Sequence, residues 1–328
     1  MKLFDLIIIG AGPAGMSAAY EAKKAGLNYL VLEKGLIANT VYQYPIGLAV
    51  FSTPEELEFE NIKIESAREK PTREELLSYY VHFALENELN IQTEEEVTAV
   101  AKNGDVFTVK TSKDSYETKT VLFAIGAMEH PRHLKGVPGE NLPKVHHLFR
   151  ETYPYVKKHA LVLGGGNSAG EAALFLAREG ADSTLAIFRE DWENTDPKQG
   201  CIKYWVKQPL EEQVEKDCLK VFFLKRVAEI KENEILLEDE EGDIVTLPND
   251  VVFVLIGSDA DLTMMTDLGV ETRDSKYGTI PVYDEETFET NMPGIFVAGH
   301  FTHARHIKEA IAIPRKIVPF IASKIIDG

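Results

Sequence analysis

The 328-residue chain has only two cysteines, Cys201 and Cys218, 17 positions apart. That excludes a Cys-x-x-Cys redox pair, a four-cysteine metal pattern and a disulfide framework. Both are expected to be small structural thiols. Positive charge is also scarce: 35 Lys and Arg stand against 53 Asp and Glu, a formal net charge of −18. This argues against a nucleic-acid partner, because phosphate binding needs a basic surface. Long apolar runs are missing too. Leu6-Ile7-Ile8-Ile9 and Val251-Val252-Phe253-Val254-Leu255-Ile256 are strand-sized, far short of the roughly 20 residues of a membrane span. No charged-then-apolar leader precedes the first strand, so a cytoplasmic protein without a membrane partner is expected.

What the chain does have is two glycine-rich signatures, Gly10-Ala11-Gly12-Pro13-Ala14-Gly15 and Gly164-Gly165-Gly166-Asn167-Ser168-Ala169. The first follows an apolar strand, Leu3 to Ile9, and opens a helix from Pro13 to Ala25 with a small-residue face of Ala14, Ala18, Ala19 and Ala22. Gly10 permits a tight turn, Gly12 lets backbone approach a pyrophosphate, and Gly15 allows close helix–strand contact. The exposed N–H groups at the helix start then receive the negative charge. A second strand, Tyr29 to Leu32, ends in Glu33, 23 positions beyond Gly10. A carboxylate there grips ribose hydroxyls and repels a 2′-phosphate, so the first ligand is expected to be FAD or NAD.

The second signature repeats this logic with strand His159 to Leu163 and helix Asn167 to Arg178. Its next strand, Ala181 to Phe188, ends in Arg189 instead of an acid. A guanidinium pairs bidentately with a 2′-phosphate, which favours NADPH. Glu190 and Asp191 follow directly and offer a ribose diol an alternative partner, so NADH stays open. Asn167 and Ser168 are expected as donors beside that pyrophosphate, with Gly164, Gly166 and Ala169 shaping the turn. A pair of dinucleotide sites points to electron transfer.

The remaining pattern fits an α/β fold. Two Rossmann-like, three-layer dinucleotide-binding domains are expected, the second inserted in the first, each with a small antiparallel β element. A helix over Thr72 to Glu88 follows Pro71. Hairpins are marked by Asn103-Gly104-Asp105 and Glu241-Gly242-Asp243. The expected division is 1–122 with 252–328 for the first domain and 123–251 for the insert. From His306 to Ile325 one or two helices are expected, interrupted by Pro314 and Pro319.

With these motifs in place, the chain resembles the thioredoxin reductase-like flavoproteins of the pyridine nucleotide-disulfide oxidoreductase superfamily over essentially its full length. Ala124-Ile125-Gly126 resembles the element where the chain passes between domains. Gly294-Ile295-Phe296-Val297-Ala298-Gly299 resembles the strand that closes on the flavin ribityl chain. More specifically, Val41-Tyr42-Gln43-Tyr44-Pro45, Phe51-Ser52, Lys144 to Phe149 and Tyr283 to Asn291 resemble the bacillithiol disulfide reductase group.

The resemblance implies tightly bound FAD, reduction by NADPH, delivery of electrons to a low-molecular-weight disulfide, and a homodimer or higher homo-oligomer. It places FAD against Gly10, Gly12, Pro13, Ala14, Gly15, Glu33 and Lys34. Tyr42, Tyr44, Val97, Ala124, Gly126, Gly299 and His300 complete the expected FAD contacts. Two departures stand out. The bacillithiol disulfide reductase group carries a cysteine inside the first glycine motif where this chain has Ala14, and thioredoxin reductases carry an aspartate where His300 follows Gly299.

Without a redox cysteine pair, the residues left for the acceptor chemistry are His300, His303 and Tyr44. His300, His303 and His306 recur at intervals of three, but no closed metal site is signalled and none is expected. Lys198, Lys203 and Lys207, interleaved with Tyr204 and Trp205, are read as a solvated helix face or as a receiver for an anion. The leading expectation is an FAD-dependent NADPH oxidoreductase reducing a small disulfide, such as a bacillithiol-type disulfide, without an internal cysteine pair. The alternatives are a ferredoxin- or flavodoxin-NADP reductase and a non-catalytic nucleotide-sensing flavoprotein.

Overall fold

The computed structural model describes residues 3–60, 62–188, 192, 201–276 and 278–327. It divides into two compact units, Met1–Glu129 with Ala260–Gly328, and His130–Asp259.

The first unit opens with β1 (Leu3–Ile9), α1 (Pro13–Lys24) and β2 (Tyr29–Leu32), then two one-turn helices, α2 (Asn39–Tyr42) and α3 (Pro54–Leu57). It continues through α4 (Arg73–Glu86), β3 (Ile91–Gln92), β4 (Val97–Asn103), β5 (Val106–Thr111) and β6 (Ser115–Phe123). Pro13 starts α1 at a position that needs no backbone N–H, and Lys23 and Lys24 oppose the negative end of its dipole. Its alanine face, Ala14, Ala18, Ala19 and Ala22, is buried as the spacing predicts. Helix α4 is started by Thr72, whose side chain accepts from the Glu75 N–H while the Glu75 carboxylate accepts from the Thr72 N–H. Strands β4 and β5 form the expected hairpin around Gly104.

The second unit holds β7 (His130–Pro131), β8 (Val145–His146), β9 (His159–Leu163), α5 (Asn167–Arg178), β10 (Asp182–Ile187), α6 (Tyr204–Glu215) and β11 (Leu219–Phe223). Strands β12 (Arg226–Ile230), β13 (Glu234–Glu238), β14 (Ile244–Pro248), β15 (Val251–Val254) and β16 (Ser258–Asp259) complete it. A parallel sheet runs β11-β10-β9-β15-β8, and β12-β13-β14 form a separate antiparallel sheet.

The chain then returns to the first unit with α7 (Thr263–Asp267), β17 (Thr272–Ser275), β18 (Gly278–Pro281), β19 (Ile295–Val297), α8 (Ile307–Ala312) and α9 (Pro314–Asp327). In that unit the parallel core is β3-β2-β1-β6 with β19 added beside the C-terminal half of β6. The β4–β5 hairpin joins the N-terminal half of the same strand, antiparallel. Ser17 of α1 donates its hydroxyl to the Ile311 carbonyl of α8 at 2.7 Å, tying the helical layer together.

The division differs from the expected 123–251 insert. Val251–Val254 lie inside the second unit's sheet, paired in parallel with β9 on one side and β8 on the other. The unit therefore ends at Asp259, after the β16–β7 bridge. A fully apolar strand can fill the centre of either sheet, so its own sequence does not say which one it joins. Among the described residues no helix is long and apolar enough to cross a membrane.

Candidate functional site

In the first unit the topology gathers the expected residues at one edge. Gly10 follows β1, Glu33 follows β2, Ala124 follows β6 and Gly299 lies two residues past β19. Because these strands are parallel, all four lie at their carboxyl ends, where open α/β sheets bind ligands. Gly10 has φ +108°, and a Cβ on it would stand 2.5 Å from the Ala124 carbonyl oxygen. A Cβ on Gly15 would overlap the Gly10 carbonyl oxygen, so strand, turn and helix meet without room for a side chain. Gly12, the residue before α1, differs: its Cβ would meet nothing within 4 Å. It has no side chain to cap the helix, and the first turn carries no acid. The uncapped N–H groups at the start of α1 carry positive polarity beside the open Gly12 position, a cradle that fits a pyrophosphate.

Glu33 is buried, and its carboxylate is held by two backbone donors, Ala11 N–H at 2.8 Å and Gly35 N–H at 2.7 Å. Burial raises its pKa, and the two N–H bonds oppose that shift. These bonds fix the carboxylate beside the glycine turn, the placement a ribose contact requires. Lys34 turns elsewhere: its ammonium pairs with Glu129 at 2.6 Å. Burial disfavours its charge, but Glu129 outweighs this and its pKa is raised.

Tyr42 ends α2 with an exposed ring. The buried Arg73 guanidinium donates to the Tyr42 carbonyl at 2.5 Å and lies 5.4 Å from its ring centroid. Tyr44 packs against the cluster that includes Val41, Tyr79 and Tyr80. Val97 is a buried core residue at the start of β4. Gly126 takes φ +69° beyond β6, with open space where a Cβ would be.

Ala14 is 5% exposed, and an ideal Cβ on Gly299 would lie 3.2 Å from its Cβ. His300 follows at once. Burial, with Arg305 and His306 adding to it, pushes its pKa down to about 4, so the imidazole is neutral at neutral pH. Neutral imidazole has one donor and one acceptor nitrogen to offer.

The spacing of His300, His303 and His306 does not place them on one helix face. Helix α8 begins only at Ile307, and the first two lie in turns. His303 is exposed. The Tyr283 hydroxyl accepts from its backbone N–H at 3.0 Å and contacts its Nδ1 at 2.8 Å. Phe288 packs on the same ring, so His303 is held against the β19 approach.

The second unit repeats the cradle. Gly164 has φ +146° and abuts the Leu255 carbonyl and Ala169, while Gly166 starts α5 with nothing within 4 Å of its Cβ position. Ser168 is exposed. Asn167 is partly committed, because its Oδ1 accepts the Lys203 N–H at 2.8 Å and links α5 to the start of α6. Arg189 and Lys198 lie outside the described residues. Lys203 and Lys207 place their ammonium groups 5.9 and 5.8 Å from the ring centroids of Trp205 and Trp192, so this basic run packs on aromatic rings. Cys201 and Cys218 are free thiols, both in this unit.

Two features escape sequence reasoning. Glu171, on α5 one turn beyond Gly166, has its pKa raised to about 7 by burial. Its acidity is ordinary in sequence, and only the packing around α5 changes it. The second is a cluster of His133, Glu140 and His147, whose donor atoms lie within 4.8 Å of one another. Their regular seven-residue spacing is visible, but the intervening glycines and prolines give it no helical meaning.

The family model for pyridine nucleotide-disulphide oxidoreductases matches residues 7–299. The chain is 37% identical over 294 residues to a Bacillus subtilis (strain 168) protein named bacilliredoxin reductase Bdr, covering 89% of this chain and 88% of that one. It is 29% identical over 328 residues to a ferredoxin–NADP reductase of Ignicoccus hospitalis, covering 99% and 95%. The solved bacillithiol disulfide reductase of Staphylococcus aureus superposes with a TM-score of 0.92 at 31% identity, covering 99% of both chains. With two glycine cradles of the same build and these likenesses over nearly its whole length, the chain is an oxidoreductase and belongs to the pyridine nucleotide-disulphide oxidoreductase family.

Proposed function

We propose that the chain is an FAD-dependent NADPH oxidoreductase that reduces a low-molecular-weight disulfide of the bacillithiol type. The observation that carries the electron-transfer reading is the repeated cradle: Gly12 before α1 and Gly166 before α5 each leave open space at an uncapped helix start. The substrate class rests on likeness to the B. subtilis and S. aureus proteins. In the net reaction, NADPH, a proton and RSSR give NADP+ and two RSH.

A bound flavin supplies two-electron exchange with a nicotinamide and with an acceptor. The chain's part is to hold and orient. Glu33 receives the ribose end, the α1 N–H groups receive pyrophosphate, and Gly299 with neutral His300 borders the ribityl side as hydrogen-bonding backbone and imidazole. Arg73 fixes Tyr42 from beneath, keeping an aromatic ring at the exposed rim. In the second unit the α5 start and Ser168 receive the NADPH pyrophosphate, and Arg189 is assigned to the 2′-phosphate.

A second reading is favoured by one observation. Neither cysteine belongs to the first unit, and Ala14 fills the position where the related group has its thiol. An acceptor that needs no protein thiol, such as a ferredoxin or flavodoxin, suits that surface, and a ferredoxin–NADP reductase is among the relatives. The deciding experiment reduces the flavin anaerobically with NADPH and then follows reoxidation by small disulfides, ferredoxin and flavodoxin. Fast, saturable reoxidation by bacillithiol-type disulfides is expected. Saturable reoxidation by a protein iron–sulfur or flavin carrier alone would overturn the disulfide reading.

A further inference from the structure

The segment between β7 and β8 is irregular yet firmly held. Arg132 N–H donates to the Gly257 carbonyl at 2.9 Å, Val137 N–H to Leu134 at 3.2 Å, and Leu142 N–H to Gly139 at 3.1 Å. The Ile230 N–H of β12 donates to the Pro138 carbonyl at 2.9 Å, and Leu134 is buried in the core beneath. This scaffold brings His133, Glu140 and His147 together. His133 Nδ1 lies 3.3 Å and His147 Nε2 3.9 Å from the same Glu140 oxygen, and the two ring centroids are 4.2 Å apart. The Leu134 N–H also donates to that oxygen, fixing the carboxylate from behind.

Hydrogen bonding accounts poorly for this arrangement. Charge-assisted N–H···O bonds run at about 2.7–2.9 Å, and both imidazole separations exceed that. Among the described residues no lysine or arginine pairs with Glu140, although its side chain is only 11% exposed. The His147 ring is also hydrogen-bonded to the Arg132 backbone, which holds it beside His133. Buried carboxylates are normally satisfied. Donors on a tetrahedral zinc ion, with bonds of about 2.0–2.2 Å, stand roughly 3.3–3.5 Å apart. The His133–Glu140 separation already matches and the His147–Glu140 one must close by about 0.4 Å, with all three donor atoms within 4.8 Å of one another.

We propose that His133, Glu140 and His147 form a site for a transition-metal dication, zinc by its donor set, that clips residues 133–147 into a closed loop. Two imidazoles and one carboxylate select zinc, cobalt or nickel over magnesium and calcium, which want oxygen ligands. The exposed edge of His133 leaves a fourth position for water. None of the three residues is among those assigned to the dinucleotide cradles or to the acceptor chemistry. Because the loop is already held by backbone bonds, the cation adds to a preformed site.

The test uses the untagged full-length holoprotein, stripped with a chelator and titrated with zinc by calorimetry, with cobalt as a spectroscopic reporter. One saturable site per chain and a zinc-dependent rise in Tm are expected. His133→Ala, at an exposed position, and His147→Ala should each weaken zinc by more than the roughly 10–100-fold that loss of an outer-shell partner costs. Bound flavin and NADPH-dependent flavin reduction should be unchanged in both. His159→Ala is the control, because His159 Nδ1 already pairs with Asp182 at 2.8 Å on another edge. No saturable zinc uptake, uptake surviving in the His133→Ala/His147→Ala double variant, or uptake lost in His159→Ala would each overturn the proposal.

Discussion

Ala14 and Gly299 meet where the start of α1 touches the end of β19: a Cβ on Gly299, φ +102°, would lie 3.2 Å from the Ala14 Cβ. The contact joins the glycine turn that opens the chain to a strand nearly three hundred residues later. It also leaves little volume for larger groups. Gly299→Ala forces a left-handed backbone on a residue with a side chain and crowds Ala14. We expect a loss of about 1–3 kcal/mol in folding stability, read by denaturant titration, with reduced flavin content in the purified protein.

Gly15→Ala should be more severe, since its Cβ overlaps the Gly10 carbonyl oxygen and only backbone movement relieves it. The expected result is flavin-free protein with a lowered Tm. Recovery of full flavin content would contradict the close approach of α1 to the turn.

Glu33→Gln keeps the size of the side chain but turns one acceptor oxygen into a donor facing a backbone N–H. With Ala11 and Gly35 both donating to the carboxylate, one buried N–H loses its partner. The cost expected is about 1–3 kcal/mol, with weaker flavin retention on dilution. Measured flavin dissociation equal to that of the parent would remove Glu33 from the ribose site.

Glu171 sets a pH dependence of known sign. Its folded pKa is raised from 4.5 to about 7, so the folded state holds the proton more tightly than the unfolded chain. Below pH 4.5 the group contributes nothing to the pH dependence. As pH rises through that window the unfolded state ionises first and stability falls, by up to about 3 kcal/mol once pH passes 7. Glu171→Gln should flatten this decline in unfolding free energy against pH. An unchanged slope would mean that the carboxylate ionises freely.

His300 acts in the opposite direction. Its folded pKa is lowered from 6.5 to about 4, so the unfolded chain takes up the proton first as pH falls. Stability is therefore lost between about pH 6.5 and 4, again by up to about 3 kcal/mol. His300→Asn should remove that part of the acid sensitivity while retaining a polar side chain beside Gly299. An imidazole resonance that is absent from the His300→Asn variant and titrates near pH 6.5 in the parent would refute the burial.

Local demands were readable in the sequence. Gly10, Gly12, Gly15 and their counterparts in the second unit are set by turns and helix starts a few residues long, and the strands around them are strongly apolar. The Thr72 and Glu75 start of α4 is equally local. Strand β12 and the β17–β18 hairpin carry no clear apolar pattern: Arg226–Ile230 mixes charged and apolar residues without strict alternation, and Thr272–Ser275 is entirely polar and mostly exposed. The unit boundary was misplaced because Val251–Val254 carries no mark of its neighbours. The Tyr283 hydroxyl contacts that hold His303 join residues 20 positions apart and leave no mark in the spacing of the histidines. Glu171 and the His133–Glu140–His147 cluster depend on tertiary burial and loop path, which no periodicity encodes.

Strand β19 has a consequence for how the molecule is made. Its partners, Val121–Phe123 of β6, leave the ribosome more than 170 residues before Ile295–Val297 do. The whole second unit, His130–Asp259, is synthesised in between and contains its own sheets and core. That unit can complete its fold while the first still has an open sheet edge. The C-terminal half of β6, although made early, gains its β19 neighbour only when the last fifth of the chain emerges.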